Sequence, residues 1–313
     1  MPTFNRQALE VEAKKYGFKR DTFEKVVRLR RILEFINDNE FLNSHLWLKG
    51  GTAINLTVFD LPRLSVDIDM DYNPNDTKTD MEESRTRIKD ILMDYMKAEG
   101  YSLAEDSRFM HSLDGFHFQY MNAGGNRDTI KIEINYSLRA HVLEPVEVSI
   151  IPRVFTESIK IKTMNPIEIF AAKTNALLNR AAARDLYDFV NMIDARLFEN
   201  DRDLFRKTIV FYASISAVTI NKEFDTSEID RIDFGKIKRE LFPVIEVKAN
   251  FDLDGMKEKA KSYIKELLIL TDSEKEYLER FEAKKYHPEL LFDDDDIVNR
   301  IRNHPMAIWK CRV

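Results

Sequence analysis

The stretch LKGGTAINLTVFDLPRLSVDIDMDY, residues 48–72, decides how this chain is read. An apolar run ends in Gly50-Gly51, a helix-like segment follows from Thr52, and then aspartates alternate with isoleucine and methionine. On a strand, residues two apart point to the same side. Asp67, Asp69 and Asp71 therefore share one face, and Val66, Ile68 and Met70 share the other. The apolar set suits a core. The acidic set repels itself, and carboxylates this close raise one another's pKa unless a cation lies between them. Taken alone, the pattern admits two accounts: the wet outer face of an edge strand, or a divalent-metal site. Oxygen donors without cysteine or a nearby histidine pair suit Mg²⁺ or Mn²⁺ rather than zinc.

The glycines favour the second account. A helix N-terminus exposes unpaired N–H groups and partial positive charge, and glycine lets a phosphate approach the backbone closely. The spacing is not that of a P-loop, and no GxGxxG is present. A phosphate cradle followed by an acidic strand suits a nucleoside triphosphate with its metal. Two metals would need more anionic ligands than two aspartates provide. TIKIEINYS offers Glu133 on an alternating strand, with Lys131 and Asn135 on its face and Ile132 and Ile134 opposite. Glu133 is the candidate third acid; the plainer account is a surface glutamate on an amphipathic strand.

The chain's 313 residues are enough for two domains, and its 44% hydrophobic and 33% charged residues allow a packed core. A net charge of -6 gives no global basic footprint, so charge alone implies no nucleic-acid partner. Cys311 is the one cysteine, which excludes a disulfide framework or Cys-rich zinc site and fits a reducing cytoplasm. The N-terminal residues lack a signal-peptide-like apolar run. The most membrane-like stretch, residues 208–220, is too short to span a bilayer and reads as a buried helix.

Residues 5–38 carry helical periodicity, with Phe23, Val26, Val27, Leu29, Ile32, Leu33 and Ile36 on the apolar side. The basic run RLRR at 28–31 reads first as a solvated helix face, with RNA contact as the sharper alternative. Strands are expected at HLWLKG, at LSVDIDMDY (ended by Asn73, Pro74 and Asn75), and near HFQYM, TIKIEINYSLRA, VEVSII and SIKIKT. Residues 80–98 read as helix, and NAGGNRD at 122–128 has the composition of a hairpin turn. After Asn165-Pro166 almost every pattern is helical, so a domain boundary is placed near residue 165. The expected class is α+β: a mixed sheet with flanking helices over 1–165, then a helical bundle over 166–313. The DDDD run at 293–296 reads as a solvated helix start. His111 and His117 lack metal-ligand spacing and read as structural, His287 and His304 precede prolines and read as turn residues, and Cys311 shows no activating neighbourhood.

The helical stretch EIFAAKTNALLNRAAARDLYDF has two readings. As one helix it aligns Lys173, Arg180, Arg184 and Asp188 in a single polar stripe. A break at NRAAAR would give two helices, with Asp185 or a neighbour in the first turn of the second.

The order KGGTAINL, RLSVDIDMDY, EIFAAKTNALLNRAAARDLYDF and the closing NHPMAIWK resembles the AbiEii/AbiGii-type toxins. These belong to the nucleotidyltransferase superfamily that includes DNA polymerase beta, and act in type IV toxin–antitoxin and abortive-infection systems. The resemblance spans about residues 45–190. It implies a nucleotidyltransferase fold in which Gly50, Gly51 and Thr52 hold the triphosphate and Asp67 and Asp69 hold the metals. Arg63 and Ser65 would support the triphosphate or the acidic strand. Lys173 and Asp188 match positions treated as active-site residues in the family, and the third acid is less firmly marked there. The implied reaction moves a nucleoside monophosphate from an NTP to an acceptor hydroxyl, with Mg²⁺ or Mn²⁺. The implied acceptor is RNA, foremost a tRNA 3′ end, and a cognate antitoxin is an implied partner. Two other readings accompany it: an antibiotic or small-molecule nucleotidyltransferase, and a non-enzymatic nucleotide binder that keeps the fold. An exposed basic groove from RLRR to Lys173 would favour RNA; an acidic acceptor pocket would favour the small molecule.

Overall fold

The structure, a computed structural model, describes residues 4–74, 76–150, 154–155, 159–216, 220, 222–249 and 251–312. The chain separates into two compact units. The first is Met1–Arg139, Pro145–Met164 and Val244–Ala249; the second is Ala140–Glu144, Asn165–Pro243 and Asn250–Val313. The main crossing thus falls between Met164 and Asn165, and two short segments group with the opposite unit from their chain neighbours.

The first unit opens with helices α1 (Arg6–Lys15), α2 (Arg20–Asp38) and α3 (Glu40–His45). The periodic stretch 5–38 is therefore two helices, parted where Gly17 turns at φ +77°. Strand β1 (Leu46–Lys49) runs into α4 (Gly50–Ala53), which continues as a π-turn over Ile54–Val58. Strand β2 (Asp67–Tyr72), helix α5 (Lys78–Ala98) and strands β3 (Ser102–Leu103), β4 (Arg108–Met110), β5 (Leu113–Met121), β6 (Arg127–Asn135), β7 (Val146–Ser149) and β8 (Lys160–Thr163) complete it. Among the described residues these form one eight-stranded sheet in the order β3-β5-β6-β2-β1-β8-β7, with β4 on β5. The pairs β2–β6 and β1–β8 are parallel and the others antiparallel, so the sheet is mixed.

Alternation builds the core on one side of this sheet. Ile68, Met70, Ile130, Ile132 and Ile134 are buried, and each such side chain contributes on the order of 1.5–3 kcal/mol. Buried Leu29, Ile32, Leu33 and Ile36 on α2 and Ile88, Leu92 and Met96 on α5 belong to the same core, and Phe35 of α2 stacks on Tyr95 of α5. The turn between β5 and β6 is a hairpin, closed by Asn122 N–H donating to the Asn126 carbonyl. Asn75, Ile151 and Ser158, at the expected strand ends, lie outside the described residues.

RLRR is not a solvated face. Arg28 is buried, ion-paired with Glu24 at 2.7 Å, donating to the Tyr101 hydroxyl, and stacked on the rings of Phe4 and Tyr120. Arg30 is 13% exposed and Arg31 lies over the Phe4 ring. The hydrophobic period of α2 overlaps the arginines, so their stems are drawn inward with the neighbouring leucines.

Every regular element described in the second unit is helical: α6 (Pro166–Arg180), α7 (Ala183–Asp194), α8 (Arg202–Ile215), α9 (Ser227–Asp230), α10 (Phe234–Lys236) with a π-turn at Ile237–Leu241, α11 (Leu253–Leu267), α12 (Asp272–Glu282), a 3₁₀ turn at Pro288–Leu290, α13 (Asp295–Ile301) and α14 (Pro305–Arg312). Asn165 caps α6 by accepting from Ile167 N–H, and Pro166 occupies its first position, where a missing N–H costs nothing. Helix α8 is buried along most of its length; residues 217–219 of the stretch read as buried helix lie outside the described residues. Asp294 caps α13 and Asp295 and Asp296 fill its first turn, exposed. His287 faces Glu289 at the 3₁₀ turn, whereas His304 is fully buried against Phe211 at the start of α14. Among the described residues no helix is long and apolar enough to cross a membrane.

Candidate functional site

The antiparallel register of β1 and β2 sets Lys49 opposite Asp69, and the parallel register of β2 and β6 sets Asp69 beside Glu133 and Asp67 beside Lys131. Residues in register share a face. The side of the sheet away from the apolar core thus carries four carboxylates (Asp67, Asp69, Asp71, Glu133) and two ammonium groups (Lys49, Lys131). Ionised together, these six groups sum to a formal charge of -2.

Gly50 turns at φ +69°, and a Cβ there would lie 2.7 Å from Asp69 Oδ2. Gly51 backs onto a second pair: its Cβ would lie 2.6 Å from an Arg63 guanidinium nitrogen and 3.1 Å from Ser65 Oγ. Both glycines are therefore demanded by the close approach of named side chains. The helical segment starts at Gly50 itself, two residues before Thr52. The strand, the turn and the two loop residues are thus packed as one unit.

Arg63, Ser65 and Thr52 are buried. Thr52 donates to the Asp67 carbonyl and lies 2.8 Å from the Ser65 hydroxyl. Arg63 donates to the Leu64 carbonyl at 3.0 Å, and the Leu64 N–H donates to Val244. The Thr52 hydroxyl is thus engaged with the start of β2, while Arg63 and Ser65 lie against the Gly51 side of the turn.

Burial is the largest influence on Asp69 and raises its pKa. Lys49 pulls it back, while Asp67 and Glu133 push it further up. Asp71 is fully buried and ion-paired with Lys49. Glu133, expected as a third metal ligand, is held by Lys131 at 2.7 Å. Among the described residues no group of three or more His, Cys, Asp or Glu is placed to share a metal ion. The aspartates and Glu133 are thus neighbours in register without forming a three-acid cage, because Lys131 competes for the glutamate.

In the second unit the helix is broken at NRAAAR, where Ala181 adopts the left-handed φ of +48°. The break folds the first turn of α7 onto α6. Lys173 is buried, its ammonium 2.9 Å from Asp185 and 2.8 Å from the fully buried Asp188. Arg180 pairs with the second oxygen of Asp185 at 2.9 Å. Burial opposes the charge of Asp185, but Lys173 and Arg180 together outweigh it and hold its carboxyl below the usual range. Arg184 turns instead to the Glu240 carbonyl. Lys173 is therefore no exposed helix charge. Burial pushes the Cys311 thiol up, away from reactivity. His117 is tied to Asp106 at 2.9 Å, and His111 is exposed.

Lys49, Lys131, Asp71 and Asp185 are members of these clusters to which the sequence assigns no functional part. A lysine directly before Gly50-Gly51, at the end of a strand paired to the acidic one, was the available signal for the first.

A glycine turn set against paired aspartates on a mixed sheet is the arrangement of a nucleotidyltransferase. Comparison narrows the class. The family described as "Nucleotidyl transferase AbiEii toxin, Type IV TA system" matches residues 31–259, and the chain belongs to it. Among solved structures it is similar to MenT4, a nucleotidyltransferase toxin from Mycobacterium tuberculosis H37Rv, with a TM-score of 0.64 and 14% identity over 98% of this chain and 99% of that one. At that identity the likeness speaks for the fold. No curated protein matches.

Proposed function

We propose that this toxin transfers a nucleoside monophosphate from an NTP to a hydroxyl of an RNA acceptor, foremost a tRNA 3′ end, using a divalent cation. The observation that carries the reading is the contact of Gly50 with Asp69: the turn suited to phosphate and the acid suited to metal are packed directly together. The residues present fit Mg²⁺ or Mn²⁺: hard oxygen donors, and a buried Asp69 whose ionised form a divalent ion would favour. Asp67 and Asp69 are the proposed ligands. Glu133 is assigned a neighbouring electrostatic part rather than a direct bond, since Lys131 holds it. The cation, when bound, would neutralise triphosphate charge as pyrophosphate leaves.

The backbone N–H groups of Gly50, Gly51 and Thr52 would receive the phosphates, and the missing Cβ atoms would allow the approach. Thr52, Ser65 and Arg63 would keep turn and strand in register while the acceptor oxygen attacks the α-phosphorus. Lys173 and Asp188 stay in the proposal through the family resemblance. RNA as acceptor and an antitoxin as partner also rest on the family, since Arg28 and Lys173 are internal and neither offers an exposed cationic contact.

The test is incubation with each α-labelled NTP, Mg²⁺ and total RNA, with Asp67→Asn alongside. Label is expected in RNA with the parent protein alone. Label that never enters RNA, or enters it equally with Asp67→Asn, rejects the proposal.

A further inference from the structure

Lys49 ends β1 opposite Asp69, yet its ammonium reaches one pleat along and pairs with Asp71. Asp71 is fully buried, and its second carboxylate oxygen has no hydrogen-bond partner. Lys49 is its one ion-pair partner among the described residues, which moors the ammonium in place. The lysine side chain is 23% exposed, so the charge borders solvent rather than the core. The next residue is Gly50, where an added Cβ would lie 2.7 Å from Asp69 Oδ2. A fixed cation therefore stands on the face that carries both the acids and the glycine turn.

We propose that Lys49 is a positioning residue of the metal and phosphate site: a resident cation, moored on Asp71, that shares the carboxylates' charge with an incoming divalent ion and draws in the triphosphate. The inference rests on the nucleotidyltransferase reading of Asp67 and Asp69. Its consequence is a pair of effects of opposite sign. A fixed ammonium repels a divalent ion and attracts a polyphosphate. Removing its charge tightens metal binding by about tenfold, from Coulomb repulsion at roughly 6 Å screened as in water, and weakens metal-free triphosphate binding several-fold. Loss of packing would weaken both.

The experiment is Mn²⁺ titration at pH 8, followed by the electron paramagnetic resonance of the free ion, for the parent, Lys49→Gln, Lys49→Met, Lys49→Arg and Asp67→Asn. Equilibrium dialysis of each ribonucleoside triphosphate in EDTA accompanies it. Lys49→Gln retains a donor for Asp71, Lys49→Met guards against one neutral variant failing to fold, and Lys49→Arg retains the charge. The neutral variants are expected to bind Mn²⁺ about tenfold more tightly and metal-free triphosphate more weakly, with Lys49→Arg close to the parent. A parent that binds Mn²⁺ through Asp67, with neutral variants no tighter, overturns the Lys49 inference alone. A parent that binds no Mn²⁺, or binds it equally with Asp67→Asn, overturns the proposed function and this inference together.

Discussion

Gly50→Ala combines two effects that Gly125→Ala takes apart. Gly50 has φ +69° and Gly125 has φ +84°. Left-handed backbone costs an L-residue about 1–2 kcal/mol, so both variants incur that strain. Their surroundings differ. A Cβ at Gly50 meets Asp69 Oδ2 at 2.7 Å and Asp69 Cβ at 3.3 Å, whereas at Gly125 nothing lies within 4 Å. To restore ordinary contact, Asp69 has to move by several tenths of an ångström. Misplacing part of a catalytic array by about 1 Å costs on the order of 10²-fold in rate, so a loss of roughly 10- to 100-fold is expected for Gly50→Ala. Calorimetry should show melting lowered by roughly 2–8 °C in both variants from the strain, and by more at Gly50, where Asp69 must also move. Transfer of labelled nucleotide should fall only in Gly50→Ala. If the two variants lose activity equally, the contact with Asp69 has no functional meaning and the reasoning fails.

Lys173→Met takes the ammonium from two buried carboxylates, a loss of about 3–5 kcal/mol; calorimetry should show a melting point lower by roughly 6–20 °C, and an unchanged one refutes the buried triad. Asp69 gives a pH signature: its folded-state pKa is raised, chiefly by burial, so its ionised form penalises the fold above that value and the penalty is relieved as pH falls toward 3.8. In EDTA, Asp69→Asn should therefore be more stable than the parent at neutral pH, the gap closing on acidification in urea titrations; a variant less stable at neutral pH contradicts the sign. Asp185 behaves oppositely: Lys173 and Arg180 outweigh its burial and lower its pKa, so its contribution is complete above the ordinary aspartate range and is lost as pH drops through the depressed value. The acid-induced loss of stability should be smaller in Asp185→Asn. Glu133→Gln should weaken Mn²⁺ binding by about tenfold, the effect of one nearby charge, while Asp67→Asn should remove it; equal losses would make Glu133 a direct ligand.

The sheet is legible in the sequence because period-two alternation survives wherever one face is packed: Ile68 and Met70, then Ile130, Ile132 and Ile134, mark β2 and β6. Strands β3 and β4 escaped notice because two or three exposed or half-exposed residues carry no period. The break between α6 and α7 could be placed only as an alternative, since alanine rarely takes the φ of +48° found at Ala181 and leaves no local warning. Segments 140–144 and 244–249 were beyond reach because their grouping depends on long-range packing alone. RLRR misled because charge says nothing about direction: the partner of Arg28 is Glu24, one turn away and equally buried.

The candidate site shows the same division more sharply. Glycine and aspartate could be picked out because each is an unfavourable choice without a function or a close neighbour: glycine for its backbone freedom, clustered aspartate for its repulsion. Lysine on a strand is ordinary, so nothing in the sequence gives Lys49 a part or marks Lys131 as more than a neighbour of Glu133 on one face, although both pair with the acids. Lys131 occupies Glu133 and Lys49 occupies Asp71. On the proposed reading an incoming cation would be received at Asp69 and its neighbour Asp67, because Asp69 is the acid packed against the Gly50 turn.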